Sequence, residues 1–336
     1  MASKKRIGLM LWPSPGRDAG FDRGVWAESA GYDDLWLADA EGLQDPITLA
    51  AALAVATKSI RLCTGIVPVF NRQPPLLATA VVAAEQRAPA RFVLGLGPST
   101  DNMVARWFGL EYKKPLTRVR ETIELLRKLF NGEKTDFAGE TIRSKGFRLM
   151  EMPSAPVPIF IGAIGPKMLA LAGEVADGVL LNDFTPPDRI AWALEQIDSG
   201  AKKSGRRVED IEIVKRRGIS VSSTESDGLE YFRAYIGFYG AAPAYQKIMI
   251  RLGYAKVVDA IREGYQERDR QKVKNAVPDE MVCRLFAFGD RAHCQRIVRD
   301  EFAIGVDAAV ISPQGDTAET YAVGAEAFSR TNFRVN

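Results

Sequence analysis

Eight short apolar runs, each followed by a helical pattern, recur along the 336 residues of this chain. Each run is almost entirely apolar, which is typical of parallel strands covered by helices on both faces. Eight strand–helix units in a chain of this length predict an α/β fold, a closed (β/α)8 TIM barrel. The predicted strands are Ile7–Trp12, Asp34–Ala38, Ile60–Val67, Arg91–Leu96, Val157–Ile161, Gly178–Leu181, Ile211–Val221 and Ala308–Ile311.

Two segments interrupt the repeat. Thr135–Leu149 follows the fourth helix, and its turn residues Gly139 and Gly146 predict a β-hairpin insertion at about residues 135–150. A longer, tyrosine-rich stretch after the seventh strand predicts a helical insertion at about residues 224–280. We expect both insertions to belong to one barrel domain that spans residues 1–336.

A doubly wound open sheet is the alternative fold for such a repeat. It predicts a glycine-rich dinucleotide-binding motif directly after the first strand. The residues found there, Trp12-Pro13-Ser14-Pro15-Gly16, lack that glycine spacing and place prolines in the turn. The barrel is therefore favoured, and its functional loops are expected at the C-terminal ends of the strands.

The chain contains one histidine, His293, which argues against histidine-based catalytic triads and histidine-rich metal centres. Its three cysteines, Cys63, Cys283 and Cys294, are widely spaced and odd in number. That usage argues against a disulfide framework and favours a reducing cytoplasm. Because Cys283, His293 and Cys294 lack the spacing of a metal finger, we predict no metal site.

The 45 basic and 42 acidic residues give a net charge of only +3 and are interspersed along the sequence. This pattern predicts no nucleic-acid partner. No apolar run reaches the roughly 18 residues that a membrane span needs. We therefore expect a cytoplasmic protein that acts on a small molecule, without a membrane partner.

Two glycine-containing strand ends are candidate ligand contacts. Gly162-Ala163-Ile164-Gly165 follows the fifth strand and begins a helix, so its backbone N–H groups can approach a planar or anionic ligand. Thr64-Gly65-Ile66-Val67-Pro68 ends the third strand, where Gly65 predicts a bulge or an unusual peptide. A plain turn without a ligand remains the alternative for each segment.

Polar side chains follow two other strands. Ser99 and Thr100 offer hydroxyl groups after the fourth strand, although close strand–helix packing also explains the glycines before them. Asp39 and Glu41 follow the second strand, and such carboxylates can orient a ligand or move a proton. Helix capping and simple solvation are the alternatives for these two acids.

Taken together, four segments and their order resemble the luciferase-like family of barrel oxidoreductases, and the resemblance covers nearly the whole chain. The segments that carry it are Ala30–Trp36, Arg61–Ile66, Arg91–Gly97 and Ile159–Leu169. The last of them, continued to Gly178, is most similar to the branch that uses the deazaflavin coenzyme F420, and especially to methylenetetrahydromethanopterin reductase. Monooxygenases that use FMN share the fold.

The resemblance implies that the coenzyme ring lies in the barrel mouth against a non-prolyl cis peptide, here Gly65–Ile66. It also implies a homodimer. The coenzyme-binding residues that it implies are Asp39, Gly65, Ile66, Val67, Ser99, Thr100, Gly162, Ala163, Ile164 and Gly165. Asp39 and Glu41 are the candidate catalytic residues, and Tyr231–Tyr265 is a candidate substrate wall or lid.

Two positions depart from the family pattern. Sugar-phosphate dehydrogenases of this branch have a histidine directly after the second-strand aspartate, where this chain has Ala40. The pterin reductases have a glutamate within the first strand, where this chain has about Met10. The resemblance thus implies the coenzyme frame, while both known acid–base arrangements are missing.

The resulting hypothesis is an oxidoreductase that transfers a hydride between coenzyme F420 and a small organic substrate. A pterin- or folate-like C1 carrier is one substrate class considered. The alternative is an FMN-dependent monooxygenase supplied by a partner flavin reductase. A barrel that binds a coenzyme without turnover is the third hypothesis.

Overall fold

A parallel β-barrel surrounded by helices forms the centre of the computed structural model, which describes residues 5–12, 19–39, 44–222, 225–315 and 317–335. Its strands are β1 (Arg6–Leu11), β2 (Asp34–Leu37), β3 (Arg61–Thr64), β4 (Val67–Pro68), β5 (Phe92–Gly97), β6 (Asp136–Ala138), β7 (Arg143–Lys145), β8 (Ile159–Ala163), β9 (Gly178–Leu181), β10 (Glu212–Val221), β11 (Ala287–Gly289) and β12 (Ala308–Pro313).

Strand pairing closes the sheet on itself. The parallel order around the barrel is β1, β2, β3, β5, β8, β9, β10 and β12. β12 then pairs with β1, in a register that places Gly8 opposite Val310. The predicted (β/α)8 barrel is therefore confirmed, and each of the eight predicted strands overlaps one of these barrel strands.

The helices lie outside the barrel and in the insertion. They are α1 (Ala19–Ser29), α2 (Pro46–Ala56), α3 (Pro74–Glu85), α4 (Pro115–Phe130), α5 (Pro166–Val175), α6 (Ile190–Lys203), α7 (Glu225–Tyr239), α8 (Pro243–Arg251), α9 (Ala255–Gln266), α10 (Arg270–Asn275), α11 (Asp279–Leu285), α12 (Arg291–Ile304) and α13 (Ala318–Glu326). A short π-helical segment, Asn102–Trp107, precedes α4. None of the helices within the described ranges is long and apolar enough to cross a bilayer.

Helix starts follow local chemistry. Proline occupies the first turn of α2, α3, α4, α5 and α8, where its missing N–H costs no hydrogen bond. Asp45 caps α2 by accepting a hydrogen bond from the Thr48 backbone N–H at 2.8 Å. Gly305, with a φ of 119°, ends α12 in the left-handed conformation and turns the chain into β12.

Both insertions occur where the sequence predicts them. β6 and β7 form an antiparallel hairpin within residues 135–150. α7 to α11 form the helical insertion after β10, which extends to Leu285, five residues beyond the predicted end. This insertion has its own apolar cluster, in which Phe232 and Phe286 stack with ring centroids 4.1 Å apart.

The side chains of the barrel strands alternate between two apolar layers. Met10 points into the barrel, whereas its neighbours Leu9 and Leu11 pack outward against the helices. The inner layer is formed by Met10, Trp36, Ala38, Cys63, Val93, Phe160, Leu180, Val214, Ala308 and Val310. These side chains fill the barrel, so a ligand has room only at its end.

One strand boundary differs from the prediction. The expected strand Ile60–Val67 is divided into β3 and β4, with Gly65 and Ile66 between them. Three residues lie between Cys63 and Val67, whereas only two lie between their partners on β5, Val93 and Leu96. The extra residue is a β-bulge, as expected from the glycine at the strand end.

Candidate active site

A cavity of about 500 Å³ opens at the C-terminal ends of the barrel strands. Eight of the residues predicted to bind a coenzyme line it together: Asp39, Gly65, Ile66, Ser99, Thr100, Gly162, Ala163 and Ile164. The volume lies within the roughly 300–1,000 Å³ of typical small-molecule sites. Loops that are far apart in sequence thus meet around one space.

The bulge between β3 and β4 forms the floor of this cavity. Its Gly65–Ile66 peptide bond is cis, as the resemblance implies. A Cβ atom at Gly97 would lie 2.8 Å from Ile66 Cδ1, and one at Gly162 would lie 3.0 Å from Ile66 Cγ2. Glycine at both positions therefore makes room for Ile66, whose side chain presents an apolar surface to the cavity.

The predicted glycine loop after β8 divides into two parts. Gly162, Ala163 and Ile164 line the cavity, whereas Gly165 is the residue before α5 and does not. The nearest atom to a Cβ built on Gly165 is Arg251 Nη1, at 3.9 Å. Gly162 is thus under steric constraint, and Gly165 is not.

The loop after β5 places two hydroxyl groups at the rim. Ser99 adopts a left-handed backbone conformation, with a φ of 59°, which is uncommon for a residue other than glycine. Its backbone carbonyl accepts a hydrogen bond of 3.3 Å from the Tyr112 hydroxyl. Thr100 Oγ1 accepts one of 3.4 Å from the Met103 backbone N–H. These contacts hold Ser99 and Thr100 against the cavity.

Asp39 is held at the rim by Arg72. The Arg72 Nη2 atom lies 3.0 Å from the Asp39 carboxylate and 2.5 Å from that of Asp45, so one guanidinium bridges both acids. Only 6% of the Asp39 side chain is exposed. Burial raises the pKa of Asp39 above its ordinary value, although the positive charge of Arg72 opposes this change.

One further predicted residue, Val67, does not line the cavity. Val67 is fully buried and packs in the outer apolar layer, so its side chain does not line the cavity. Glu41 lies outside the described residues. The roles assigned to both stay predictions. His293 is exposed near the start of α12 and is not among the lining residues.

The sequence analysis did not predict a buried ion pair in the cavity wall, although Asp183, after the sixth strand, is a candidate of the same kind as Asp39 and Glu41. Arg216, on β10, lines the cavity, and its Nη2 lies 2.5 Å from a carboxylate oxygen of Asp183. The same Nη2 donates to the Tyr235 hydroxyl at 2.9 Å. Asp183 also accepts a hydrogen bond of 2.7 Å from the Gly218 backbone N–H. The carboxylate therefore holds Arg216 from behind.

The charges of this pair stabilise each other. Burial alone would raise the pKa of Asp183, but the positive charges of Arg216 and two neighbouring basic residues bring it below its ordinary value. Burial alone would lower the pKa of Arg216, but the charge of Asp183 raises it. Both groups are thus ionised at neutral pH. The sequence signal was the run Lys215-Arg216-Arg217 within a predicted strand.

Aromatic residues of the helical insertion cover the other side of the cavity. Phe238 and Tyr239 of α7 and Tyr245 of α8 are among the lining residues. The Tyr245 hydroxyl accepts a hydrogen bond of 3.2 Å from Asn182 Nδ2, which joins the insertion to the end of β9. Part of the Tyr231–Tyr265 stretch thus lines the cavity, and its role as a substrate wall or lid stays a prediction.

An apolar floor, exposed backbone at Gly162 and rim hydroxyls suit a flat ring system with polar edges. The fold and this site define a (β/α)8-barrel enzyme with a binding site at the C-terminal mouth of the barrel. The profile of the luciferase-like monooxygenases matches residues 15–308. The chain belongs to this luciferase-like family.

Two relatives and one solved structure extend this comparison. A 5,10-methylenetetrahydromethanopterin reductase of Archaeoglobus fulgidus is 32% identical over 263 residues, covering 76% of this chain and 77% of that protein. A Mycobacterium tuberculosis protein, assigned by name to the coenzyme F420-dependent oxidoreductases, is 30% identical over 335 residues, covering 93% and 96%. The coenzyme F420 dependent tetrahydromethanopterin reductase of Methanopyrus kandleri has the same fold, with a TM-score of 0.81, 22% identity and 98% coverage of both chains.

Proposed function

We propose that this protein is an oxidoreductase that binds coenzyme F420 in the cavity and exchanges a hydride with a small organic substrate. The observation that carries the proposal is the meeting of eight predicted coenzyme-binding residues around one cavity of about 500 Å³. The names of the relatives, which include F420-dependent oxidoreductases and a pterin reductase, support it.

The lining residues have distinct parts in this proposal. The coenzyme, when bound, supplies the hydride chemistry, and the protein supplies binding and orientation. Ile66 supports one face of the ring, because its side chain lies on the cavity floor above Gly97 and Gly162. Ser99 and Thr100 bind polar groups of the coenzyme at the rim.

Asp39 orients the coenzyme or holds a proton beside it. Its carboxylate is mostly buried at the cavity edge, where burial raises its pKa. A raised pKa brings a carboxyl group closer to the range in which it can exchange a proton near neutral pH. Glu41 remains the second candidate for proton transfer.

For the substrate, we propose a small organic molecule, with a pterin- or folate-like C1 carrier as the first class to test. The printed name of the Archaeoglobus fulgidus relative motivates that choice. FMN-dependent monooxygenation, with a partner flavin reductase, is the second candidate function, because the family profile carries the description luciferase-like monooxygenase.

Equilibrium titration separates these two functions. Purified protein is titrated with coenzyme F420 and, in parallel, with FMN, and binding is followed through the absorbance and fluorescence of each compound. We expect F420 to bind with a Kd of roughly micromolar or below, a binding free energy near −8 kcal/mol, and FMN to bind far more weakly. Tight FMN binding without F420 binding would overturn the proposal and favour the monooxygenase.

Turnover tests the remaining alternative, a barrel that binds the coenzyme without catalysis. The protein is incubated anaerobically with oxidised or reduced F420 and a substrate panel that includes methylene-pterins and methylene-folates. We expect a change in coenzyme absorbance with at least one substrate. If F420 binds but no substrate changes the redox state of the coenzyme, the result contradicts the proposed enzyme and supports the non-catalytic hypothesis.

We also propose a homodimer that works in the cytoplasm. Val55 on α2 and Leu76 on α3 are 75% and 70% exposed, and these two helices pack side by side. Exposed apolar side chains on neighbouring helices support a contact surface that a second copy of the chain would cover. Light scattering is expected to give twice the 36.9 kDa chain mass, and Val55→Glu with Leu76→Glu is expected to reduce it to one chain. A monomeric parent protein would contradict the dimer. Fractionation of the native host tests the cytoplasmic assignment.

A further inference from the structure

Among the described residues that line the cavity, only Asp39 and Arg216 carry a formal charge. Both are already paired with a group behind the cavity wall. Arg72 neutralises Asp39, and Asp183 neutralises Arg216. The lining therefore has little net charge to offer to an anionic substrate, despite the cation in its wall.

Arg216 nevertheless retains hydrogen-bonding capacity. Its side chain is only 9% exposed, and both of its hydrogen bonds to described residues come from Nη2. Nε is fully enclosed, whereas Nη1 is not among the enclosed atoms and makes no hydrogen bond to a described residue, so Nη1 is the donor that a ligand can reach. The Trp12 ring lies 5.4 Å from the guanidinium carbon and limits its movement. The guanidinium is thus fixed at the cavity wall with a donor unused.

We infer that Arg216 binds the substrate through an uncharged hydrogen-bond acceptor, such as a ketone or amide-type carbonyl oxygen. Asp183 sets this preference, because it cancels the charge that a phosphate or carboxylate would need. The inference deepens the proposed function and rests on it only in assuming that the substrate enters the same cavity. Arg216 is then a specificity-determining residue of that site.

This assignment also argues against a sugar phosphate as the substrate. A phosphate brought to Arg216 would meet the Asp183 carboxylate, which is fully buried and held by the Gly218 N–H. Repulsion between two anions is strong where water is excluded. A carbonyl oxygen has no net charge, and it can accept the unused N–H without disturbing the ion pair.

The test measures ligand binding and needs no turnover. Cyclohexanone serves as the neutral carbonyl probe and inorganic phosphate as the anion, and their binding is followed by ligand-observed NMR in the parent protein. The variants are Asp183→Asn, Arg216→Met and Arg216→Lys. Arg284→Met is the matched control, because Arg284 pairs with Asp188 at 2.7 Å and does not line the cavity.

We expect the parent protein to bind cyclohexanone in preference to phosphate. Arg216→Met is expected to weaken cyclohexanone binding about tenfold, which corresponds to 1.4 kcal/mol. Asp183→Asn uncovers the positive charge and is expected to strengthen phosphate binding about tenfold or more. Arg284→Met is expected to leave both affinities unchanged.

Three results would overturn the inference: phosphate binding at this cavity in the parent protein, unchanged cyclohexanone binding in Arg216→Met, or no gain of phosphate binding in Asp183→Asn. Circular dichroism identifies a variant that fails to fold, and Arg216→Lys then takes the place of Arg216→Met. F420 affinity is measured in every variant. If the parent protein does not bind F420, the proposed function fails, whereas the preference for a neutral acceptor is still decided by the two probes.

Discussion

The two ends of the barrel differ in how the hydrogen-bonding groups of their charged residues are used. At the N-terminal end, Arg6, Asp34, Arg61 and Glu212 are the first residues of β1, β2, β3 and β10. Arg61 makes two hydrogen bonds to each carboxylate, with Nη2 at 2.9 Å from Asp34 and 2.7 Å from Glu212. At the C-terminal end, Arg216 pairs with Asp183 but keeps an unused N–H.

The difference shows which charges serve folding and which can serve a ligand. The N-terminal cluster has two cations and two anions, and their mutual hydrogen bonds occupy the forks of Arg61. Such a cluster joins strands, and all three nitrogens of Arg61 are engaged by its two carboxylates. The C-terminal end instead combines an apolar floor with an incompletely used donor, as expected where barrel enzymes bind their substrates.

The largest expected effect is a loss of stability when Asp34 is removed from the N-terminal end of the barrel, called the closed end below; the C-terminal end is called the open end. Asp34→Ala leaves Arg6 and Arg61 with Glu212 alone, although Asp34 itself is fully buried. Breaking a buried pair costs roughly 3–5 kcal/mol, and we expect about 2 kcal/mol because both arginines retain some exposure to water. Urea denaturation measures the loss in the free energy of unfolding.

Arg6→Met is the control for that change. Arg61 then still bridges both carboxylates, so we expect a loss of about 1 kcal/mol or less. F420 affinity of the folded fraction is expected to stay unchanged in both variants. A change in coenzyme affinity as large as the change in stability would show that the two ends are not functionally separate.

The second effect concerns coenzyme binding at the open end. In Gly162→Ala, the added Cβ comes within 3.0 Å of Ile66 Cγ2 and displaces the cavity floor. We expect F420 affinity to fall about tenfold, or 1.4 kcal/mol. Fluorescence titration with F420 measures the loss.

Gly165→Ala provides a control from the same loop. A Cβ at Gly165 has open space, with Arg251 Nη1 as its nearest atom at 3.9 Å. We expect its F420 affinity to remain within about twofold of the parent. Equal losses in the two variants would contradict the role assigned to Ile66, since they would show that the loop acts as a whole.

The smallest effect is a pH dependence at the open end. The pKa of Asp39 is raised by burial in the folded protein, so the folded state binds its proton more readily than the unfolded state. This group's contribution to stability therefore falls as pH rises from its ordinary pKa of 3.8 through its folded pKa. Asp39→Asn does not titrate, so its stability relative to the parent should increase as pH rises from about 4 to 7.

Urea denaturation at several pH values measures that difference. A stability difference that is constant with pH, or that changes in the opposite direction, would contradict the burial of Asp39 as the dominant influence on its pKa.

Periodicity in the sequence accounts for the barrel because buried parallel strands are short and almost wholly apolar, as β9 illustrates with Gly178–Leu181. The division of the third predicted strand into β3 and β4 was harder to predict from the sequence. An apolar run continues through Ile66 to Val67, and only the pairing with β5 shows where the extra residue lies. Gly65 gave the local signal for a bulge, but not its exact register.

The ion pairs could not be predicted from local sequence patterns, because their partners are far apart in the chain. Arg216 and Asp183 are 33 positions apart and meet because β9 and β10 are neighbours in the barrel. Arg6 and Glu212 are 206 positions apart and meet across the closed end. Charged residues at strand starts, and three successive basic residues inside an apolar strand, are signals that could have marked both places.

A crystal structure of the protein with coenzyme F420 tests the central claim most directly, that the C-terminal end of the barrel is the coenzyme site. We expect the deazaflavin ring in contact with Ile66 and Gly162, with Arg216 facing the space left for substrate. A ring bound elsewhere, without contact to Ile66 or Gly162, would contradict the account.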